Sequence, residues 1–253
     1  AKFLGRTAPF DIRHVEGNTA TKIVLVDRGE AVYSAACSRL TSEELAALID
    51  RYRPECGIIA SVAEPDPAWL PLLRRRLRRF LSLNDDPTIR LPITLGYRTP
   101  ETLGRDRIAA AVGAWTLRPE VPLLIIDAGT AITYDVVLPP GHFVGGNISP
   151  GLTTRFRALH DYTRRLPLIS ERDEVPDLGV TTEEAILSGV VRGIVYEMNG
   201  YIETMHAKHP HAAVFLTGGH APYFDRRLKC RTFASENLVW LGLNRIIEYN
   251  EDK

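Results

Sequence analysis

Short apolar runs alternate along the chain with segments of helical period, a pattern that predicts an α/β fold. Lys22–Asp27 (KIVLVD) and Glu30–Cys37 (EAVYSAAC) read as strands on either side of an Asp27-Arg28-Gly29 turn. Thr41 with Glu44 three residues on is a capping-box signal, so a helix is expected from there to about Tyr52. Gly57–Val62 reads as a short buried strand, and Pro67 as the opening of a helix that runs through the arginines at 74, 75, 76, 78 and 79. With no aromatics interleaved, that basic run reads as a solvated helix face rather than a phosphate site. Leu91–Leu95 reads as a strand, and Gly104–Trp115 as a helix with Ile108, Val112 and Trp115 on its apolar side. Val121–Asp127 is a nearly all-apolar strand that ends in a carboxylate, with Ala131–Leu138 as its hairpin partner. Glu183–Ala207 is a long helix carrying Gly189 and Gly193, small residues that let another backbone approach. Ala213–Thr217 is the last core strand before Gly218-Gly219, and Asn237–Tyr249 is a terminal amphipathic helix.

Two segments repeat. Gly17, Thr21 and Gly29 recur as Gly129, Thr133 and Gly141, at a constant offset of 112 residues, and Val24 falls on Val136 in the same register. Two related lobes follow, each opening with a strand, a Gly/Thr turn and a second strand. Glycine lets a backbone come close to a ligand, successive amides converge on an anion, and threonine hydroxyls add donors. A carboxylate at a strand end can hold a cation that offsets phosphate charge. The second segment has every part: Asp127, Gly129, Thr130 and Thr133.

Composition narrows the classes. The 253 residues hold 31 Lys and Arg against 31 Asp and Glu, a balance that argues against bulk nucleic-acid binding. Apolar content of 45% and charged content of 25% suit an ordinary globular protein. Cys37, Cys56 and Cys230 form no CxxC pair and no even framework, so a reducing cytoplasm is the expected setting. No apolar run approaches the ~18 residues of a membrane span, and the first residues lack the apolar core of a signal peptide. The seven histidines show no ligand spacing, and His206, His209 and His211 read as surface residues.

The motifs also carry a resemblance. IIDAGTAITYD (Ile125–Asp135), preceded by GNTATK (Gly17–Lys22) and followed by LTGG (Leu216–Gly219), resembles the two phosphate loops and the adenosine loop of the acetate kinase, sugar kinase, heat-shock chaperone and actin superfamily. Tyr97-Arg98-Thr99-Pro100, Leu103-Gly104-Arg105-Asp106-Arg107, DAGTA and the Gly145–Leu152 stretch GGNISPGL follow in the order of type III pantothenate kinases. Arg157-Ala158-Leu159 and Leu178-Gly179-x-Thr181-Thr182 continue the likeness, which covers about Gly17 to Asn250. The resemblance implies two ribonuclease-H-like lobes with a cleft between them, an N-terminal lobe over 1–115 and a C-terminal lobe over 116–253. It implies phosphorylation of pantothenate at the expense of magnesium-ATP, with potassium or ammonium as activator, by a homodimer. Asp106 matches the family's catalytic base. Tyr97, Gly104, Arg105, Asp106, Arg107 and Thr182 match its pantothenate contacts. Gly17, Asn18, Thr19, Thr21, Lys22 and Thr130 match its ATP contacts, and Asp127 its monovalent-cation ligand. A carboxylate suits the first role, because a primary alcohol needs a proton acceptor to attack phosphorus at neutral pH. Asn147 and Ser149 in GGNISPG read as shaping a loop.

One position departs from the family. Its first loop reads Asp-x-Gly-Asn-Thr, but here Val15 stands two residues before Gly17 and Glu16 follows it. Three explanations stay open: Glu16 substitutes from a shifted backbone, Asp11 is the displaced carboxylate with 13–16 inserted, or phosphoryl transfer is impaired. Arg13, His14 and Glu16 also interrupt the apolar run expected of a central first strand. The last explanation defines a second functional reading, a pantothenate- or nucleotide-binding homologue with weak or no kinase activity.

Overall fold

Residues 10–15, 20–27, 30–37, 40–61, 68–235 and 237–251 are described by a computed structural model, the side chains of 10–15, 20–22, 27, 30, 36, 37 and 61 excepted. In chain order the elements are β1 (Phe10–Val15), β2 (Ala20–Asp27), β3 (Glu30–Cys37), α1 (Ser42–Tyr52), β4 (Cys56–Ser61), α2 (Trp69–Arg76), β5 (Arg79–Ser82), β6 (Thr94–Leu95), α3 (Arg105–Leu117), β7 (Leu123–Ala128), β8 (Ala131–Leu138) and β9 (His142–Pro150). After them come α4 (Leu152–Asp161), α5 (Thr182–Lys208), β10 (Ala213–Thr217), α6 (Ala221–Asp225), β11 (Phe233–Ala234) and α7 (Leu238–Glu251). They form two compact units. One comprises Ala1–Ile93, Thr99–Thr116 and Val239–Lys253; the other comprises Thr94–Arg98 and Leu117–Leu238.

Each unit is built on one sheet, and the two sheets share a topology. The first has the order β3-β2-β1-β4-β5; the second has β11-β10-β7-β8-β9, extended by β6 at the β9 edge. β1 runs antiparallel to β2 and parallel to β4, as β7 does to β8 and β10. The repeat read from glycines and threonines is therefore a repeat of strand order. Its register is not uniform. In the second hairpin Asp127 stands opposite Thr133 and, on its other side, Thr217. In the first, Thr21 stands opposite His14, whose parallel neighbour is Ser61. The constant offset puts Val15 at that station. The first hairpin has one residue more between its paired stations (15–20 against 128–132), so His14 takes the place that corresponds to Asp127. The first strand exists and is central, despite its interrupted apolar run.

In the first unit, one sheet face packs Ile23, Leu25 and Ile59 against Leu45 and Ile49 of α1 and Trp69 and Leu73 of α2. Val24 and Val26, on the opposite face by strand alternation, meet Trp240 of α7. The capping box at α1 forms as read: Thr41 Oγ1 accepts from the Glu44 amide, and Glu44 accepts from the Thr41 amide. Helix α3 is buried continuously from Arg107 to Ala114. Gly242 of α7 lies on it so closely that a Cβ would sit 1.8 Å from the Ala109 carbonyl oxygen. In the second unit, Leu124, Ile126, Tyr134 and Leu216 of the sheet pack on Phe156 of α4, Ile194 and Met198 of α5, and Phe224 of α6.

Several expectations need correction. The arginine-rich helix ends at Arg76, not Arg79: Leu77 is already extended, and Arg79–Ser82 becomes a strand parallel to β4. Only Thr94–Leu95 of the expected 91–95 strand pairs, and Pro92 supplies no amide to a ladder. The GGNISPG stretch is no loop. It lies in β9, antiparallel to β8, with a bulge opposite Val136/Val137 and Gly145 at φ 147°. Among the described residues, no helix is long and apolar enough to cross a membrane.

Candidate active site

In the second unit, the strand β7 is buried over its whole length and delivers Asp127 to its end. Asp127 is 9% exposed. Asp135, 1% exposed, shares its sheet face, since Thr133 is directly opposite Asp127 and Asp135 is two residues further along β8. Gly129-Thr130 then turns the chain, with the Gly129 amide donating to the Ala131 carbonyl at 3.0 Å. Two neighbours hold this turn. The Gly151 amide and the Thr154 hydroxyl both donate to the Thr130 carbonyl, at 2.9 and 2.7 Å. A Cβ on Gly151 would fall 2.2 Å from the Gly129 carbonyl oxygen, so the two backbones touch. On the other side the Gly218–His220 loop closes over the strand end, and the His220 amide donates to the Ala128 carbonyl at 3.0 Å.

The loop after β10 depends on Gly218. It sits at φ 93°, and a Cβ there would come within 2.4 Å of Asp127 Oδ1 and 2.7 Å of the Ala128 backbone. Gly218→Ala should therefore cost both backbone strain and a displaced carboxylate, about 2 kcal/mol or more of stability. Thermal denaturation measures this, and an unchanged midpoint would contradict the packing described. Beside Asp127, the buried Thr133 Oγ1 has no hydrogen-bond partner among the described residues, and neither has the buried His220 Nδ1. A carboxylate and an unused hydroxyl at one strand end are oxygen donors of the kind a hard cation takes. Among the described residues, no three His, Cys, Asp or Glu side chains converge as a metal cage.

A network of side chains supports the turn from the helical face. Tyr134 donates to Glu197 Oε1 at 2.8 Å and stacks on Tyr201 with ring centroids 3.9 Å apart. Arg155 Nη2 reaches Glu197 Oε2 at 2.5 Å. Burial pushes the Tyr134 hydroxyl far above its usual pKa, and the Glu197 carboxylate beside it adds to the shift. Burial alone would raise Glu197 too, but hydrogen bonds from Arg155, Tyr134 and Ser149 outweigh it and hold the carboxyl below its ordinary value.

In the first unit, Gly104 directly precedes α3, and Asp106 occupies the helix's first turn. Its Oδ1 accepts from the Arg107 amide at 2.9 Å and lies 2.7 Å from where a Gly104 Cβ would be. Glycine at 104 thus leaves the half-buried carboxylate its place. Arg107 is 6% exposed, and Arg105 Nη1 donates to the Pro100 carbonyl at 3.3 Å.

The remaining sequence candidates are scattered. Tyr97 stands beside β6 in the second unit, with its ring edge-on to Phe143 at 6.3 Å. Thr182 is the exposed first residue of α5, after an N-cap Thr181 that forms a capping box with Glu184. Thr21 and Lys22 lie on β2 by backbone alone, and Gly17, Asn18, Thr19 and Glu16 lie outside the described residues. The structure thus groups Asp127 with Thr130, and Gly104, Arg105, Asp106 and Arg107 on one turn. Sequence reading missed the grip of Gly151 and Thr154 on Thr130, and the Arg155–Glu197 pair. Gly151 had a signal in the glycine-rich GGNISPG stretch; the pair, 42 residues apart, had none.

Comparison with known proteins matches these features to one family. A family model described as type III pantothenate kinase matches residues 16–204. A protein of that name from Azobacteroides pseudotrichonymphae is 43% identical over 236 residues, 93% of this chain and 95% of its own. Another of the same name, from Bacteroides fragilis, is 44% identical over 237 residues, 94% of this chain and 97% of its own. Among solved structures, a Campylobacter jejuni protein described as a Baf family transcriptional activator aligns with a TM-score of 0.62 at 19% identity, over 97% of this chain and 100% of that one. MreB5 of Spiroplasma citri, solved bound to ADP, aligns with a TM-score of 0.52 at 12% identity, over 97% of this chain and 99% of that one. The fold is that of the actin and sugar-kinase superfamily.

Proposed function

The chain belongs to the type III pantothenate kinase family, and on that premise we propose that it transfers the γ-phosphoryl group of ATP to the primary alcohol of pantothenate, the first step of coenzyme A synthesis. The observation that carries the reading is the Gly-Arg-Asp-Arg turn at the head of α3, which presents a half-buried carboxylate, and the motif resemblance assigns that carboxylate the role of base. Asp106 accepts the alcohol proton as the oxygen attacks the γ-phosphorus. The new oxygen–phosphorus bond forms as the bond to the β–γ bridging oxygen breaks, and ADP leaves with that electron pair. Tyr97, Gly104, Arg105, Arg107 and Thr182 bind and orient pantothenate, and the planar fork of Arg107 suits its carboxylate. Gly17, Asn18, Thr19, Thr21, Lys22 and Thr130 hold the ATP phosphates, with magnesium entering on the nucleotide.

Asp127 would hold a potassium or ammonium ion. The fit rests on its carboxylate at the end of a buried strand, with the Thr133 hydroxyl opposite, which has no partner among the described residues. Such an ion supplies positive charge beside the phosphates. Replacing potassium by sodium at constant ionic strength should lower turnover, read as ADP release. Equal rates in the two salts would remove the assignment.

The first-loop carboxylate that the family carries is absent at Val15, yet the relatives reported above are both named for the kinase, and the non-catalytic reading has no support among them. The deciding assay is ADP release by the purified full chain with magnesium-ATP and potassium, with and without pantothenate. ADP should appear only when pantothenate is present; binding of both ligands without ADP release would reverse the reading.

We place the reaction in the cytoplasm and in a homodimer. Gly189 and Gly200 on α5 are exposed, with none of the described residues within 4 Å of a Cβ, and Tyr196 between them is 65% exposed, so this helix face is open to a second copy. Light scattering at micromolar concentration should give about twice the 28.2 kDa chain mass, and a 28.2 kDa species alone would reject the dimer.

A further inference from the structure

We propose that Arg155 and Glu197 are positioning residues for the nucleotide: a strut that fixes the second phosphate loop by fastening it to the long helix. The inference rests on the reading that Thr130 touches the ATP phosphates. Arg155, in the first turn of α4, makes three bonds in three directions. Its Nε donates to the Pro150 carbonyl at 2.8 Å, and its Nη2 donates to Ser149 Oγ at 2.8 Å and to Glu197 Oε2 at 2.5 Å. The guanidinium therefore ties the end of β9 to α5. It meets that helix over one turn, since a Cβ on Gly193 would lie 3.9 Å from Nη1. Glu197 has no oxygen to spare, because its other one accepts from Tyr134, whose ring is stacked on Tyr201 of the same helix. Strand β8, the end of β9, α4 and α5 thus meet at a single carboxylate.

What this junction fixes is the turn. The residues that Arg155 grips, Ser149 and Pro150, run directly into Gly151. Gly151 and Thr154 supply the two hydrogen bonds to the Thr130 carbonyl, and Gly151 touches the Gly129 carbonyl with no room for even a methyl group. A shift at Pro150 is passed to Gly129 and Thr130 without slack. A part-buried ion pair is a weak device for stability alone, since exposed pairs contribute little and buried ones do no better than apolar side chains of like volume. Its directional bonds are what an apolar pair lacks. Lysine could keep the charge of Arg155 but not the planar fork that serves three acceptors.

The test compares the full-length wild type with Arg155→Lys and Glu197→Gln. The readouts are ATP affinity by calorimetry without pantothenate, both KM values, kcat and the melting temperature. Arg155→Lys should raise Kd and KM for ATP by about tenfold and leave KM for pantothenate within about twofold, because a small misplacement of a positioning group costs one to two decades. Glu197→Gln, which keeps the shape and an acceptor, should show a smaller shift in the same direction, and it carries the test if Arg155→Lys does not fold. Wild-type ATP affinity in either folded variant, with only the melting temperature lowered, would overturn the proposal and leave the pair a structural one. If the wild type itself binds no ATP, the reading of the site fails first and takes this inference with it.

Discussion

Asp106→Asn should leave a folded protein that binds pantothenate and ATP but turns over about 10³-fold more slowly, in the range by which a positioned general base accelerates proton transfer. Asparagine has nearly the shape of aspartate and retains the Oδ1 that accepts from the Arg107 amide at 2.9 Å, so the start of α3 keeps that bond. What it loses is the ability to take a proton from an alcohol. Measured side by side, kcat should collapse while the pantothenate dissociation constant from calorimetry changes little. A variant within about tenfold of the wild-type rate would remove Asp106 from the base role, because a positioned general base contributes at least about a hundredfold.

Gly242→Ala should lower stability by about 3 kcal/mol, against the sign that helix propensity predicts. On an exposed helix the same change would gain about 1 kcal/mol, since glycine is the poorer helix former. In α7 the new methyl would lie 1.8 Å from the Ala109 carbonyl oxygen and 2.9 Å from the Gly113 amide nitrogen, both backbone atoms of the buried α3. Neither can rotate away, so the helices must part, which is an overpacking cost. For a chain of this size the melting temperature should fall by roughly ten degrees. Because α3 also carries Asp106, kcat should fall with it. An equal or higher melting temperature would show that the two helices do not approach as described.

The legible parts of this fold are those fixed by neighbours in sequence. The Thr41/Glu44 box announced α1 because both of its bonds close within one turn. The apolar run ending in Asp127 announced β7, because a strand buried on both faces shows itself in every residue. Helix α2 was overrun because Leu73 and Leu77 keep a helical spacing and arginine is a good helix former. What stops it at Arg76 is the place open to Arg79–Ser82 beside β4, a non-local fact. β9 was hidden for the same reason: two glycines, an asparagine and a proline read as a turn until β8 and β6 are set on either side of them. At the site, Asp127 and Thr130 could be found from one short motif. The grip of Gly151, Thr154 and Gly218 on that motif, and the Arg155–Glu197 pair behind it, join residues 21 to 91 positions apart in ways that no local pattern encodes. The hairpin register is subtler: a fixed offset of 112 names Val15 as the counterpart of Asp127, but one extra residue in the first turn moves the station to His14.

The most direct test is a crystal structure of the protein with pantothenate and a non-hydrolysable ATP analogue, read at one distance. The carboxylate of Asp106 should lie about 2.6–3.2 Å from the primary hydroxyl of pantothenate, with that oxygen facing the γ-phosphorus. Pantothenate bound elsewhere, or an Asp106 carboxylate turned to bulk solvent while both ligands are in place, would contradict the assignment.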